Sequence, residues 1–298
     1  MRIINGFMTS NEWKSKGKFI TVNNNQIFVI DSNDTNYKEV YDTQKSMVVL
    51  HGYPTSSFDY YKVLPELSKT YRIILHDHLG FGFSDKPKNV NYSLVKQADI
   101  ALELWDRLGL KKICLFAHDY GTSVATEIIA RYNANELSIE IEQLILSNGS
   151  VHIELSKLRT IQKLLKHKFI GKYIALFITF PIFKINIKNI YFDTSKVTSN
   201  ELKEMWKLIE LNGGRKIIHK LTHYINERYI HWDRWVGALK ETQIPTKIIW
   251  AKNDPIAVPA IAELLGEEIP NNTLFWLENT GHFLMLENPE EWIKLMLK

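Results

Sequence analysis

The chain has 298 residues, 45% of them apolar, which is enough for one large domain with a buried core. Its 37 basic and 33 acidic residues leave a small net charge of +4. There is no arginine-rich arm and no basic stripe interleaved with aromatic residues, so we expect no nucleic-acid partner. The single cysteine, Cys114, excludes an intrachain disulfide and a cysteine-based zinc site.

Two regions of the chain bear on whether the protein is secreted or spans a membrane. Residues 1–6 lack the long apolar run of a secretory signal. The most apolar stretch, residues 169–183, is 15 residues long and contains Gly171, Lys172 and Pro181, so it is short for a membrane span. We therefore expect no transmembrane segment. Together with one cysteine in an apolar run, this favours a cytoplasmic location.

Short β-rich runs alternate with amphipathic segments of helical length, which is typical of a mostly parallel sheet covered by helices. Residues 19–22 and 26–30 predict a hairpin with residues 23–25 as its turn. A helix is predicted over residues 93–108, with Ser93 as its N-cap, and the spacing predicts another over 122–132. The other predicted strands are 47–50, 71–75, 113–117, 144–146, 247–250 and 273–277.

The alternation stops between residues 151 and 240, where the sequence is helical and rich in Lys, Ile, Phe and Tyr. The sequence therefore predicts an α/β fold with a core domain, residues 1–150 and 241–298, and a helical cap inserted at residues 151–240. We call this insertion the cap segment. Open α/β sheets bind ligands at the carboxyl ends of their strands, and we expect the cap segment to lie over that edge.

A predicted strand turns directly into a helix at Asp119. Small residues, Ala117 and Gly121, stand two positions before and two positions after it. This is the spacing of a nucleophile elbow, a strained turn that pushes one side chain forward, and here that side chain is a carboxylate. The alternative is that Asp119 only caps the helix that follows.

Two further residues follow predicted strands. Asp254 comes just after residues 247–250, and His282 lies in a glycine-containing loop after the last strand. Each alone has an ordinary interpretation, because Asp is common in turns and the chain has ten histidines. Nucleophile, acid and histidine in that order, each at a strand end, predict a catalytic triad of Asp119, Asp254 and His282.

Residues 51–57, His-Gly-Tyr-Pro-Thr-Ser-Ser, also begin where a predicted strand ends. The loop after such a strand and the residue after the nucleophile together supply the two N–H groups of an oxyanion hole. The candidates are the backbone amides of Tyr53 and Tyr120. A simple turn before a helix at Ser57 is the alternative.

These segments resemble the α/β-hydrolase superfamily, in the branch of epoxide hydrolases and haloalkane dehalogenases that use an Asp nucleophile. They are most similar to the mesoderm-specific transcript proteins of animals. The resemblance implies the fold, the lid and the triad, and it runs over nearly the whole chain. The segments that carry it are residues 13–18, 51–57, 79–87, 118–121, 146–149 and 234–239.

A carboxylate nucleophile narrows the reaction. Attack on an acyl carbon gives a reactive anhydride, whereas attack on an sp³ carbon bearing an epoxide oxygen or a halide gives a stable alkyl ester. His282, oriented by Asp254, then activates water against the carbonyl carbon of Asp119. We expect this two-step hydrolysis to act on a small or medium apolar substrate, with water as the second reactant and no organic cofactor.

The leaving group depends on the donors in the lid. Enzymes of the resembling branch hold an epoxide alkoxide with lid tyrosines, and Tyr224, 30 residues before Asp254, is our candidate. Tyr173 is its predicted partner and Tyr191 the reserve, although tyrosine is often helix packing alone. Dehalogenases usually place tryptophan after the nucleophile, where this chain has Tyr120.

Two further functional hypotheses stay open at this point. The lid tryptophans Trp206, Trp232 and Trp235 keep a haloalkane dehalogenase as the second hypothesis, and we take Trp235 as a candidate substrate contact. A catalytically idle scaffold that binds a lipid or a protein partner through the lid is the third. A metal at residues 76–78, His-Asp-His, is disfavoured because no second ligand cluster has the required spacing.

Overall fold

The computed structural model describes residues 6–34 and 45–298. Within these ranges eight strands form one sheet in the order β1-β2-β4-β3-β5-β6-β7-β8. The first two pairs in that order are antiparallel and the remaining five are parallel, as predicted. The strands are β1 (Lys18–Val22), β2 (Asn25–Asp31), β3 (Lys45–Leu50), β4 (Tyr71–His76), β5 (Lys112–His118), β6 (Glu140–Ser147), β7 (Thr246–Ala251) and β8 (Asn272–Leu277).

Fourteen α-helices occur in the described part of the chain, with a 3₁₀ turn at Ser57–Tyr60 just after β3. The first four and the last three flank the sheet strands in sequence, and the seven between them follow β6. They are α1 (Ser10–Lys14), α2 (Leu64–Leu67), α3 (Leu94–Arg107), α4 (Tyr120–Asn133), α5 (Thr160–Leu165), α6 (Gly171–Phe177), α7 (Phe180–Lys188), α8 (Ser199–Glu210), α9 (Ile218–Leu221), α10 (Tyr224–Ile230), α11 (Trp232–Glu241), α12 (Pro259–Glu268), α13 (Leu284–Glu287) and α14 (Pro289–Leu297).

The centre of the sheet is apolar on both sides. In β3 and β5 consecutive residues are buried, although successive side chains of a strand point to opposite faces, so both faces are covered. Such continuous apolar runs are the pattern of parallel strands packed between helices. Cys114 lies in β5, where burial raises the pKa of its thiol to about 12.

Local sequence signals agree with the structure at several elements. The predicted hairpin is β1 and β2, and its turn residues, Asn23 and Asn24, have φ values of 48° and 60°. Asparagine tolerates these positive values, which a two-residue hairpin turn of this type requires. Ser93 caps α3 because its side chain accepts the Lys96 N–H.

The cap segment lies between β6 and β7 and supplies seven α-helices of the described chain, α5–α11. Helix α6 packs on both α5 and α9, and α7 packs on α8, whereas α11 packs along α4 beside the sheet. The division into a core domain and a cap stays a prediction. Among the residues that the structure describes, no helix combines the length and the apolar character needed to cross a membrane.

Three buried histidines link stability to pH. Burial lowers the pKa of His51 and His118 to about 4 and that of His76 to about 3. In the unfolded chain histidine takes up a proton near pH 6.5. Because the unfolded state then binds more protons, stability falls as the pH drops from 6.5 towards 4, by about 1.4 kcal/mol per ring and pH unit.

We expect the His76→Leu variant to be less sensitive to acid than the wild type. Neither ring nitrogen of His76 has a hydrogen-bond partner among the described residues. Urea unfolding at pH 7.5, 6 and 5 should show that the variant loses about 1 kcal/mol less between pH 6 and pH 5. His167→Leu, at an exposed position, is the control and should follow the wild type. Equal pH slopes for His76→Leu and wild type would contradict this expectation.

Candidate active site

The sharp turn between β5 and α4 presents Asp119. Its backbone lies at φ 46° and ψ −108°, a conformation that is unfavourable for a residue with a side chain. Gly121 permits the close approach of α4 to the sheet, because a Cβ at that position would collide with the carbonyl of Leu50. The predicted strand–turn–helix geometry is therefore present at this residue.

The Asp119 carboxylate does not cap α4. It makes no side-chain hydrogen bond to the first turn of the helix. Instead Oδ2 accepts the backbone N–H of Tyr53 at 2.8 Å, while Oδ1 has no donor among the described residues. The side chain borders an apolar pocket and is only 4% exposed. The capping interpretation is excluded, and one candidate oxyanion amide touches the carboxylate.

The carbonyl of the elbow is anchored from two sides. Asp119 O accepts the Thr122 hydroxyl at 2.6 Å and Nη2 of Arg228 at 3.1 Å. Arg228 is fully buried on α10, donates Nε to Ser123 Oγ at 2.7 Å, and lies 4.5 Å from the ring centroid of Tyr224. Both hydrogen bonds of Arg228 go to uncharged groups, so neither of them pairs its positive charge with a carboxylate. The charge lies next to the backbone of the elbow.

His282 and Asp254 lie in the loops after β8 and β7. His282 Nδ1 is 2.6 Å from Asp254 Oδ2, which also accepts the Asn148 amide at 2.5 Å. The other oxygen, Oδ1, accepts the N–H groups of Ile256 at 2.7 Å and Ala257 at 3.0 Å. With these donors in place, the carboxylate is fixed and Nδ1 of the imidazole must carry a hydrogen towards it.

The opposite nitrogen of His282 faces the elbow. Nε2 lies 4.0 Å from Asp119 Oδ2. Burial lowers the pKa of His282, but the charge and hydrogen bond of Asp254, followed by the charge of Asp119, outweigh burial and raise it to about 9. Both aspartates therefore favour the protonated form of the His282 ring.

The pocket beside these groups is narrow and apolar. Its cavity volume is about 80 Å³. Asp119, His282, Tyr53 and Pro54 border it from the core, and polar side chains of the cap segment border it at Arg159, Gln162 and Asn186. Isoleucine is the most frequent residue of the wall, at Ile161, Ile178, Ile182, Ile187, Ile190, Ile218 and Ile256.

Two tyrosine hydroxyls near the pocket differ in what they donate. Thr222 donates its hydroxyl to the Ile218 carbonyl at 2.7 Å, so the Tyr53 hydroxyl must donate to Thr222 Oγ1, 2.8 Å away. The Tyr224 oxygen instead accepts Nε2 of Gln162 at 3.1 Å. Tyr224 therefore keeps its own proton to donate. Burial, then the charge of Asp119, raises its pKa, which keeps the hydroxyl protonated.

Two predicted substrate contacts are not brought to the pocket. Helix α6 turns Gly171 and Ala175 inward, so the Tyr173 side chain points outward and is 55% exposed. Trp235 lies on α11 against α4, and its Nε1 donates to Glu127 at 2.9 Å. Neither side chain is among those that border the pocket, and their assignment as substrate contacts stays a prediction.

The remaining cap aromatics also lie off the pocket wall. The reserve tyrosine, Tyr191, is buried and stacked on Phe283, with ring centroids 5.5 Å apart. Trp232 donates its indole N–H to Glu154 at 2.9 Å, and Trp206 packs on Phe183. Tyr224 itself lies one layer behind the pocket, held by Gln162 and packed on the ring of Tyr53.

Several contributors were not predicted. Asn148, directly after β6, donates Nδ2 to Asp254 and accepts the Ala251 N–H with Oδ1. The sequence did not predict this role. Gln162 had no signal in the sequence. Arg228 stands four residues after Tyr224, so the two share a helix face, and that spacing is the one signal that points to it. The amide of Tyr120 opens α4 and has no acceptor within the helix, as an oxyanion donor requires.

No group of three or more His, Cys, Asp or Glu side chains suited to a metal ion occurs in residues 6–34 and 45–298. Residues 76–78 lie at the end of β4, and the rings of His76 and His78 pack edge to face with centroids 5.0 Å apart. This histidine cluster is part of the core packing around His51.

Comparison with known proteins agrees with this geometry. The family model described as the alpha/beta hydrolase fold matches residues 45–289. The chain belongs to this family. The mesoderm-specific transcript protein of Mus musculus is 37% identical over 284 residues, covering 93% of this chain and 83% of that protein. The predicted likeness to those proteins is confirmed.

Solved structures that share this fold include an epoxide hydrolase and a haloalkane dehalogenase. The epoxide hydrolase CorEH has a TM-score of 0.72 at 18% identity, over 94% of this chain and 96% of that one. The haloalkane dehalogenase DbeA from Bradyrhizobium elkani USDA94 has a TM-score of 0.77 at 18% identity, over 92% and 94%. At this level of identity the two structures show a common fold.

Proposed function

We propose that this α/β-hydrolase opens epoxides of small or medium apolar molecules through an alkyl ester on Asp119. The observation that carries the proposal is the carboxylate at the strained elbow, with Oδ2 held by the Tyr53 amide and His282 on its other side. A carboxylate in this place is a nucleophile for sp³ carbon, and the isoleucine-rich wall suits an apolar substrate.

In the first step Asp119 Oδ1 attacks an epoxide carbon and the ring C–O bond breaks. The electron pair of that bond goes to the epoxide oxygen, which then needs a proton. We assign this proton to Tyr224, whose hydroxyl keeps its own proton and contacts Gln162 at the pocket wall, and the His282 imidazolium supplies the proton that restores it. The step ends with a neutral ester, an alcohol and a neutral imidazole, so its protons balance.

In the second step the neutral His282 takes a proton from water. The resulting hydroxide attacks the carbonyl carbon of Asp119, and the amides of Tyr53 and Tyr120 receive the oxyanion. The bond between that carbon and the alkyl oxygen then breaks. The released alkoxide takes the proton of the new carboxyl group, which gives the diol and restores the carboxylate, while His282 keeps the proton of water. Loss of the Asp119 charge in the ester removes one of the contributions that hold the proton on His282, so the base becomes competent when it is needed.

Proton supply favours an epoxide over a halide. A departing halide takes no proton, so an imidazolium at the start of the reaction would first have to lose its own proton to solvent. Halide binding also needs N–H donors, and the indole groups of Trp232 and Trp235 are already bonded to Glu154 and Glu127. The dehalogenase alternative therefore has less support than the epoxide hydrolase.

The scaffold alternative explains less of the site. A binding protein has no need of a strained backbone at Asp119 or of a buried His282–Asp254 pair. Turnover of a panel of apolar terminal epoxides and of haloalkanes tests the choice, with diol and halide measured in parallel. We expect diol from the wild type and none from Asp119→Ala. Halide release without diol would favour the dehalogenase, and the absence of both products would favour the scaffold.

We expect Tyr224→Phe to slow epoxide opening by about 100-fold or more, because the alkoxide loses its proton donor. Stopped-flow measurement of the first step should show the loss in ester formation while ester hydrolysis stays near the wild-type rate. Tyr173→Phe, at an exposed position of α6, is the matched control and should be unchanged. An unaltered opening rate in Tyr224→Phe would remove this residue from the mechanism.

A further inference from the structure

The outer surface of the cap segment carries an exposed apolar patch. Helix α6 and its neighbours present large apolar side chains to solvent, and Phe169 and Phe177 are 71% and 73% exposed. A monomeric protein exposes few such side chains together, and a contiguous group marks an interaction surface. We define the cap patch as Phe169, Ile170, Tyr173, Leu176, Phe177, Ile182 and Ile185.

The positive charge of the chain is concentrated around this patch. Residues 155–192 contain eight Lys and Arg residues and no Asp or Glu. Subtracting these eight from the 37 basic residues leaves 29 against 33 acidic ones, so the rest of the chain is net acidic. Lys163, Lys168 and Lys172 are exposed beside the apolar residues. The small overall charge therefore conceals a strongly basic face.

We propose that the cap patch is a docking surface for a lipid membrane rich in anionic phospholipids. Exposed aromatic and aliphatic side chains enter the boundary between headgroups and acyl chains, while flanking lysines bind the acidic headgroups. The inference is independent of the chemistry proposed for Asp119, because it rests on the outer face of the cap segment alone.

The composition of this face favours lipid over protein. Seven of the eight basic residues in residues 155–192 are lysine, with Arg159 as the single arginine. Lysine is depleted at protein–protein interfaces, where arginine is enriched, whereas lysine is common at anionic membrane surfaces. Charge complementarity therefore points to acidic headgroups, and a second copy of this chain would bring the same basic faces together.

The patch is continuous with the pocket. Ile182 belongs to both, because it is partly exposed on α7 and also borders the cavity near Asp119. Ile178, between α6 and α7, and Phe183 border the cavity from the same stretch of chain. A membrane-bound cap would therefore place the pocket wall directly above the apolar phase from which an apolar substrate partitions.

Sedimentation with lipid vesicles tests the proposal. The wild-type chain should bind vesicles containing about one-third phosphatidylserine at least tenfold more tightly than vesicles of phosphatidylcholine alone, and high salt should weaken the binding. Lys168→Glu with Lys172→Glu should reduce binding about tenfold, and Phe169→Ser with Phe177→Ser should do the same. Absence of binding to the anionic vesicles would overturn the proposal.

The matched control reverses the charge of two exposed lysines that lie outside the cap segment. Lys111→Glu with Lys112→Glu changes the net charge equally, at the start of β5, and should leave binding within about twofold of the wild type. An equal loss of vesicle binding in this control would mean that binding depends only on the overall charge of the chain. It would overturn the proposal that the cap patch is a specific docking surface. Thermal unfolding checks that each variant is folded. Light scattering that shows a dimer, abolished by the phenylalanine variants, would assign the patch to a second copy instead.

Discussion

In the His282→Gln variant the alkyl ester on Asp119 should accumulate instead of turning over. The first step still proceeds with the proton of Tyr224, although more slowly because no imidazolium restores that proton. The second step needs a base 4.0 Å from the Asp119 carboxylate, and glutamine is not one. We expect steady-state turnover to fall on the order of 10⁴-fold. Intact mass spectrometry should show one substrate added per chain, and peptide mapping should locate it on Asp119.

Two comparisons sharpen this measurement. The double variant with Asp119→Ala should show no adduct, and His167→Gln, at an exposed histidine, should turn over like the wild type without an adduct. An adduct on another residue would identify that residue, and not Asp119, as the nucleophile. Turnover of the His282→Gln variant within about tenfold of the wild type would remove His282 from the second step.

Replacing Asp254 with asparagine should be nearly as damaging, for a different reason. The carboxylate receives Nδ1–H of His282 at 2.6 Å and the Asn148 amide at 2.5 Å, so an asparagine there offers an N–H where an acceptor is needed. The imidazole then loses its orientation and its tautomer. We expect turnover to fall by about 10³-fold to 10⁴-fold.

The pH profile of Asp254→Asn provides an independent readout. In the wild type the carboxylates of Asp254 and Asp119 overcome burial and raise the pKa of His282 to about 9. The first step uses the protonated ring, so kcat/KM for ring opening should decline above about pH 9. Without the charge of Asp254 the pKa falls, and the decline should begin at lower pH. Asp106→Asn, at an exposed site on α3, should keep the wild-type profile.

The fold was predictable because its signals are local and redundant. The two-residue turn at Asn23 and Asn24, the Ser93 cap and the buried runs of β3 and β5 each specify their element without reference to distant residues. The order of chemistry-bearing residues at strand ends then predicted that Asp119, Asp254 and His282 would lie together, because parallel strands end at one edge of the sheet.

The cap side of the pocket was harder to predict for a physical reason. Helix α6, Gly171–Phe177, is short and apolar on more than one side, so the sequence does not specify which of its faces turns inward. Tyr173 was expected in the pocket, yet α6 buries Gly171 and Ala175 instead. The exposed apolar face that results is the one we assign to a membrane. Contacts between distant segments, such as Gln162 with Tyr224, have no local signal at all.

Arg228 is a residue of the site that the sequence did not predict, for a different reason. A buried cation that hydrogen-bonds the carbonyl of the elbow is determined by the packing of α10 on α4, and only its spacing from Tyr224 hints at it. Asn148 is similar, because its two bonds connect the ends of β6 and β7. Both residues position the triad from outside the segments that carry it.

A single turnover in water labelled with oxygen-18 tests the ester mechanism most directly. With enzyme in excess over an epoxide, the account predicts that the first diol carries no label, because its new oxygen comes from the Asp119 carboxylate. The label should instead appear in Asp119, where the oxygen of the attacking water remains. Labelled diol in the first turnover, with an unlabelled Asp119, would mean that water attacks the substrate directly and would contradict a covalent role for this residue.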